Sequence, residues 1–197
     1  MKILRTLGIA VFLLLSTISV AFAHADAASI TGGFLSGFFH PITGLDHVVA
    51  MVAVGLWGAF LGRPAIWILP IIFPLVMAFG GALGVAGVNI PYIETGIALS
   101  GVVLGLAVAF AVRPPLWIAA ILVGAFAIFH GHAHGTELPN AANPLIYSIG
   151  FVIGTGLLHL AGILFGELTR WSWGHIAVRA GGVVIALIGL GFLLGFL

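Results

Sequence analysis

Two short stretches place metal-ligating side chains inside otherwise apolar sequence: His40, Asp46 and His47 in the first, and His130, His132, His134 and Glu137 in the second. Neutral imidazole and carboxylate bind divalent transition metals, and the same groups take up and release protons. In the second stretch His130 and His134 stand at i and i+4, so on a helix they share a face and both rings reach one divalent cation. Glu137 follows at the next turn, while His132 points to another side of the helix. His40 and His47 stand at i and i+7, which on one straight helix separates them by roughly 10 Å along the axis, too far to meet easily on one ion. Pro41 and Gly44 allow a break between them, so that His40 lies on the incoming chain and folds back. Without that break the two histidines mark successive stops along a path. Met51, one turn past His47, could add a soft thioether or simply pack.

Each of these residues also has a purely structural reading. Thr43-Gly44-Leu45-Asp46 has the spacing of a capping box, in which Asp46 accepts a backbone N–H at a helix start. Asp46 could equally ligate, or orient a neighbouring imidazole. Capping leaves His40 and His47 unexplained, because each is costly near hydrocarbon unless hydrogen-bonded, paired or facing water. The three-histidine string could be an exposed polar loop. Glu94 either helps balance a cation's charge or favours the start of its own helix. His159, in the middle of an apolar stretch, reads as an inner ligand, a proton carrier, or a buried ring bonded to a neighbouring carbonyl. Glu167 reads as the i+3 partner of Arg170, and His175 as a solvated residue beside the interface anchors Trp171 and Trp173.

The elements that must position these groups are membrane helices. The chain is 62% hydrophobic and 6% charged, far below the charged quarter of a soluble domain. A net charge of +1 without a basic stripe excludes nucleic acid as a partner, and the lack of cysteine excludes thiolate sites and disulfides. Residues 1–23 have the parts of a cleavable secretory signal: Lys2 and Arg5, an apolar run from Ile9 to Val20, and Ala21-Phe22-Ala23. Cleavage leaves 24–197 as a single transmembrane helical domain whose new terminus sets a free amine beside the imidazole of His24, a further candidate metal group. The alternative is an uncleaved first helix. At roughly 20 residues per crossing, the remainder predicts an all-α polytopic bundle of about six transmembrane helices, at 43–62, 65–88, 92–112, 115–133, 143–168 and 173–196. Ser29 to Phe39 is too short to cross alone and reads as an interfacial or re-entrant helix, or an extension of the first span.

Arg63, Arg113 and Arg170 fall in the first, third and fifth turns, with Arg179 close after the fifth, and the second and fourth turns carry no Lys or Arg. Cytoplasmic loops retain these residues, so the odd turns face the cytoplasm and the processed N-terminus faces outward, as a cleaved signal requires. On that map His24, Asp26, His40, Asp46, His47, Glu94, His130, His132, His134 and Glu137 all lie at or near the outer face. The 29 glycines, many at four-residue intervals, predict close helix approach.

The zinc-protease pattern HExxH, a GxSG serine motif and a nucleotide-binding GxxxxGK[ST] loop are all absent from the sequence. His40-Pro41 through Gly44, Asp46-His47 and Met51 resembles the H-P-x-x-G-x-D-H-x-x-x-M signature of the HupE/UreJ family, membrane proteins associated with nickel supply to hydrogenase and urease. The segment from His130 to Glu137 resembles that family's second histidine-containing stretch, and the likeness spans essentially the whole chain. It implies a nickel permease of the bacterial inner membrane, with a metal role carried first to His40, Asp46 and His47 and then to His130, His134 and Glu137. It assigns nothing to His132.

The expectation is therefore a permease without a catalytic cofactor, whose cargo is Ni²⁺, with Co²⁺, Zn²⁺ or Cu²⁺ open on ligand chemistry alone. Its partners are the ion and membrane lipid, with a nickel-delivery chaperone or hydrogenase or urease maturation proteins inside the cell as candidates. Two other classes compete: an integral-membrane metal-dependent hydrolase, and a periplasm-facing scaffold that binds metal without transporting it.

Overall fold

In hydrocarbon every backbone N–H and C=O must be satisfied within its own segment, so long apolar runs fold as helices and break only where Gly, Pro or Arg intervenes. The computed structural model describes residues 30–136 and 143–197. Among these the chain is helical throughout: α1 (Ile30–Thr43), α2 (Leu45–Leu61), α3 (Ala65–Val85), α4 (Ile93–Ala109), α5 (Leu116–Thr136), α6 (Pro144–Gly166) and α7 (Ser172–Leu193), with a short 3₁₀ turn, Glu167–Arg170, before α7. The expected signal segment, His24, Asp26 and Glu137 lie outside the described residues.

Four helices, α3, α5, α6 with its 3₁₀ extension, and α7, are long and apolar enough to cross a bilayer. α1 and α2 make a fifth candidate if taken together, although they are bent by 79° where they meet. The segment expected to end near Phe39 thus continues as helix through Pro41 to Thr43 before the chain turns. α4, expected over 92–112, has 17 residues and stops at Ala109. Phe110 closes it, and Ala111 takes a left-handed φ of 56° ahead of Pro114. Such a length is at the short edge of a crossing.

α2 is the central helix, touching α1, α3, α4, α6 and α7, while α3 packs on α5, α4 on α7, and α1 on α6. Trp57, Met51, Leu56, Leu69 and Phe73 are fully enclosed between them. Lipid supplies no hydrophobic force to join helices, so close approach must come from small residues. A Cβ at Gly131 would overlap the Met77 carbonyl oxygen across α3 and α5, and one at Gly55 would overlap that of His159 across α2 and α6.

The four described arginines, Arg63, Arg113, Arg170 and Arg179, gather at one end of the bundle. Trp57 Nε1 donates to the Val112 carbonyl at 3.1 Å, Arg179 Nε donates to that of Ala109 at 2.7 Å, and the Arg113 guanidinium lies 4.7 Å over the Phe60 ring. Arg63 follows α2 at the same end, and Arg170 pairs with Glu167 before α7, beside the stacked rings of Trp171 and Trp173. His40, His47, His130, His132 and His134 lie toward the opposite ends of their helices, His159 is mid-helix in α6, and His175 stays at the arginine end in the first turn of α7.

Candidate metal centre

The break between α1 and α2 assembles the first group of residues. Thr43 ends α1 by donating its hydroxyl back to the carbonyls of Phe39 at 3.1 Å and His40 at 3.2 Å. Gly44 then serves as N-cap of α2, with no side-chain cap. The expected capping box is therefore not formed: the Thr43 hydroxyl is committed to the preceding helix, and Asp46 Oδ1 pairs with His47 Nδ1 at 2.8 Å. A side chain at Gly44 would meet both members of that pair at 3.0 Å. The sharp turn returns His40 to His47, ring centroid to ring centroid 6.1 Å.

α5 supplies the other half. The His134 ring lies 4.5 Å from that of His47 and 4.8 Å from that of His40, and His130 lies 5.1 Å from His47. His132, on another side of α5, donates Nε2–H to the Val88 carbonyl at 2.6 Å, tying α5 to the α3–α4 turn and standing outside the cluster. Phe151 of α6 closes against His134 at 4.4 Å, with Tyr147 6.0 Å from His40. A cavity of about 210 Å³ opens onto His134, bounded by Met77 and Gly81 of α3 and by Tyr147 and Phe151.

The hydrogen-bond network assigns the ring protons. Ser100 Oγ donates to the Ile97 carbonyl at 2.6 Å, so in its 3.0 Å contact with His130 Nε2 it accepts. The lone pair of His130 is then on Nδ1, which is buried with no partner among the described residues. Likewise His47 donates its Nδ1–H to Asp46, leaving on Nε2 a buried lone pair without a partner among the described residues. Both ring nitrogens of His134 are likewise buried without a partner among the described residues. Asp46 and Ser100 thus orient rings, as outer-shell partners of metal-binding histidines do. Among the described residues no three His, Asp or Glu side chains are already arranged to hold one ion. The rings are gathered, but their donor atoms must rotate to close on a cation.

The remaining sequence candidates lie apart. Glu94 is exposed in the first turn of α4. Met51 is wholly buried in the apolar core. His159 of α6 lies deeper, 5.4 Å from the Phe73 ring, whose other contact is His130 at 5.5 Å. Sequence reasoning passed over Ser100. Its signal was that, beyond the first turn of α4, it is the sole polar side chain in an otherwise apolar helix.

Fold and site together define a polytopic helical membrane protein whose imidazoles converge near one end of the bundle. Residues 11–192 match the family described as HupE / UreJ protein. A curated relative, "Protein HupE" of Rhizobium leguminosarum bv. viciae, is 46% identical over 173 residues, covering 88% of this chain and 91% of that protein. The chain belongs to the HupE/UreJ family. No solved structure matches it.

Proposed function

We propose that this protein is a permease carrying a divalent transition-metal ion, Ni²⁺ foremost, across the bacterial inner membrane into the cell. The observation that supports this reading above all others is the convergence of His40, His47, His130 and His134 from three different helices. Imidazoles are expensive in hydrocarbon, and four gathered together, three of them (His47, His130 and His134) with a buried ring nitrogen unpartnered among the described residues, suit a cation that has shed water. In this reading the ion meets the cluster from the periplasm, with Glu137 and Glu94 balancing charge at the mouth and His24 on the processed terminus assisting capture. Asp46 and Ser100 hold His47 and His130 in the ligating tautomer, and His132 keeps its structural bond.

The bent α1–α2 pair and the short α4 complete six crossings, residues 1–23 are removed as a signal, and 24–197 act as one domain. Nickel is chosen on family membership, since affinity order alone favours copper. Without a nucleotide-binding loop, the driving force is the ion's own gradient or a coupled ion.

Uptake into proteoliposomes tests this, with Ni²⁺, Co²⁺, Zn²⁺ and Cu²⁺ in parallel and His47→Ala as control. Accumulation that His47→Ala abolishes is expected. Binding without flux would identify a scaffold, and hydrolysis of a lipid or peptide would identify an enzyme.

A further inference from the structure

Deeper than the histidine cluster, α6 buries two polar side chains one turn apart, Thr155 at 0% exposure and His159 at 2%. Neither Thr155 Oγ1 nor either ring nitrogen of His159 has a hydrogen-bond partner among the described residues. A threonine in a membrane helix ordinarily bonds the carbonyl one turn back, so its orphaned hydroxyl calls for a cause. α3 adds a third polar group. Pro74 has no N–H to offer the carbonyl of Pro70, and that oxygen lies near enough to act on the His159 ring without forming a full hydrogen bond. Pro70 in turn deprives the Ile66 carbonyl of its helical donor, one turn nearer the arginine end. The Phe73 ring contacts both the cluster and these groups, its centroid 5.5 Å from that of His130 and 5.4 Å from that of His159.

We propose that Thr155, His159 and the Pro70 carbonyl form an inner way-station for the transported cation, deeper than the histidine cluster; this rests on the permease reading above. Its donors are one imidazole nitrogen, one hydroxyl oxygen and one carbonyl oxygen, all neutral, which replace part of a hydration shell without trapping the ion. The described carboxylates are elsewhere: Asp46 on His47, Glu94 exposed on α4, and Glu167 on Arg170. Weak binding is what passage requires at this depth, because an ion must leave as readily as it enters.

Two measurements on the purified full-length chain test it: Co²⁺ stoichiometry in detergent by equilibrium dialysis, and Co²⁺ flux in proteoliposomes. Thr155→Val keeps side-chain volume, His159→Asn replaces the ring by a smaller neutral amide, and retention of the tight site reports that each variant is folded. The wild type is expected to bind two Co²⁺ per chain, one tightly and one weakly. His159→Asn should lose the weak ion and about tenfold of flux, and Thr155→Val should weaken the same ion by about tenfold, the tight site being unchanged in both. One Co²⁺ per chain in the wild type, or unchanged flux in His159→Asn, overturns the inner station. Unaltered stoichiometry with loss of stimulation by a pH gradient also overturns it, assigning His159 to protons. A wild type that binds two Co²⁺ but carries none across keeps the inner site and overturns the permease reading instead.

Discussion

The rings of His47 on α2 and His134 on α5 lie 4.5 Å apart, closer than any other histidine pair in the cluster. Two side chains so placed either serve one ion or stand idle together, which sets a quantitative expectation. His47→Ala and His134→Ala should each lower Ni²⁺ uptake by about tenfold or more, and the double variant should be no worse than the more damaged single, because residues acting as one unit are not additive. Initial rates in proteoliposomes measure this. Multiplying losses would place the two rings at separate stops.

Ser100 acts on the cluster without facing the ion. Its hydroxyl proton is committed to the Ile97 carbonyl, so removing Oγ leaves the His130 Nε2 proton unpaired and the ring free to turn. Loss of an outer-shell partner of this kind typically costs about 10- to 100-fold in metal affinity, and Ser100→Ala should fall in that range. Ser100→Thr, which keeps the hydroxyl, should recover most of it. Nitrogen-15 spectra of the histidine rings provide the independent check: a His130 tautomer that is the same in wild type and Ser100→Ala would show that the serine does not set it.

How much of this was legible in the sequence depends on whether the deciding contact is local. The i+7 spacing of His40 and His47 suggested either a break, with Pro41 and Gly44 as the candidate points, or two successive stops along a path; the 79° bend falls at Gly44, while Pro41 stays inside α1. The capping box was misread because the same Thr43 hydroxyl had two possible helices to serve, and the carbonyls of Phe39 and His40 were the ones it took. The i+4 pair on α5 and the outlying His132 follow from helical periodicity alone. Ser100 against His130, and Phe73 against both His130 and His159, depend on how helices rotate about their own axes in the bundle, which no spacing within one helix encodes.

The cluster also depends on how closely α3 and α5 approach, and that distance is set at Gly131, between His130 and His132. An added methyl there would overlap the Met77 carbonyl oxygen, which is backbone and cannot swing aside, so the two helices must part. Overpacking of this kind costs about 1–3 kcal/mol, and Gly131→Ala should lower the unfolding temperature in detergent accordingly. Because His130 and His134 travel with α5, the same variant should lose metal affinity. Gly156→Ala is the control, since a Cβ at Gly156 meets nothing within 4 Å and removes a poor helix former from α6. Its unfolding temperature should be unchanged or slightly higher. Equal unfolding temperatures for the two variants would mean that α3 and α5 do not touch at Gly131, and the pairing of His134 with His47 would lose its support.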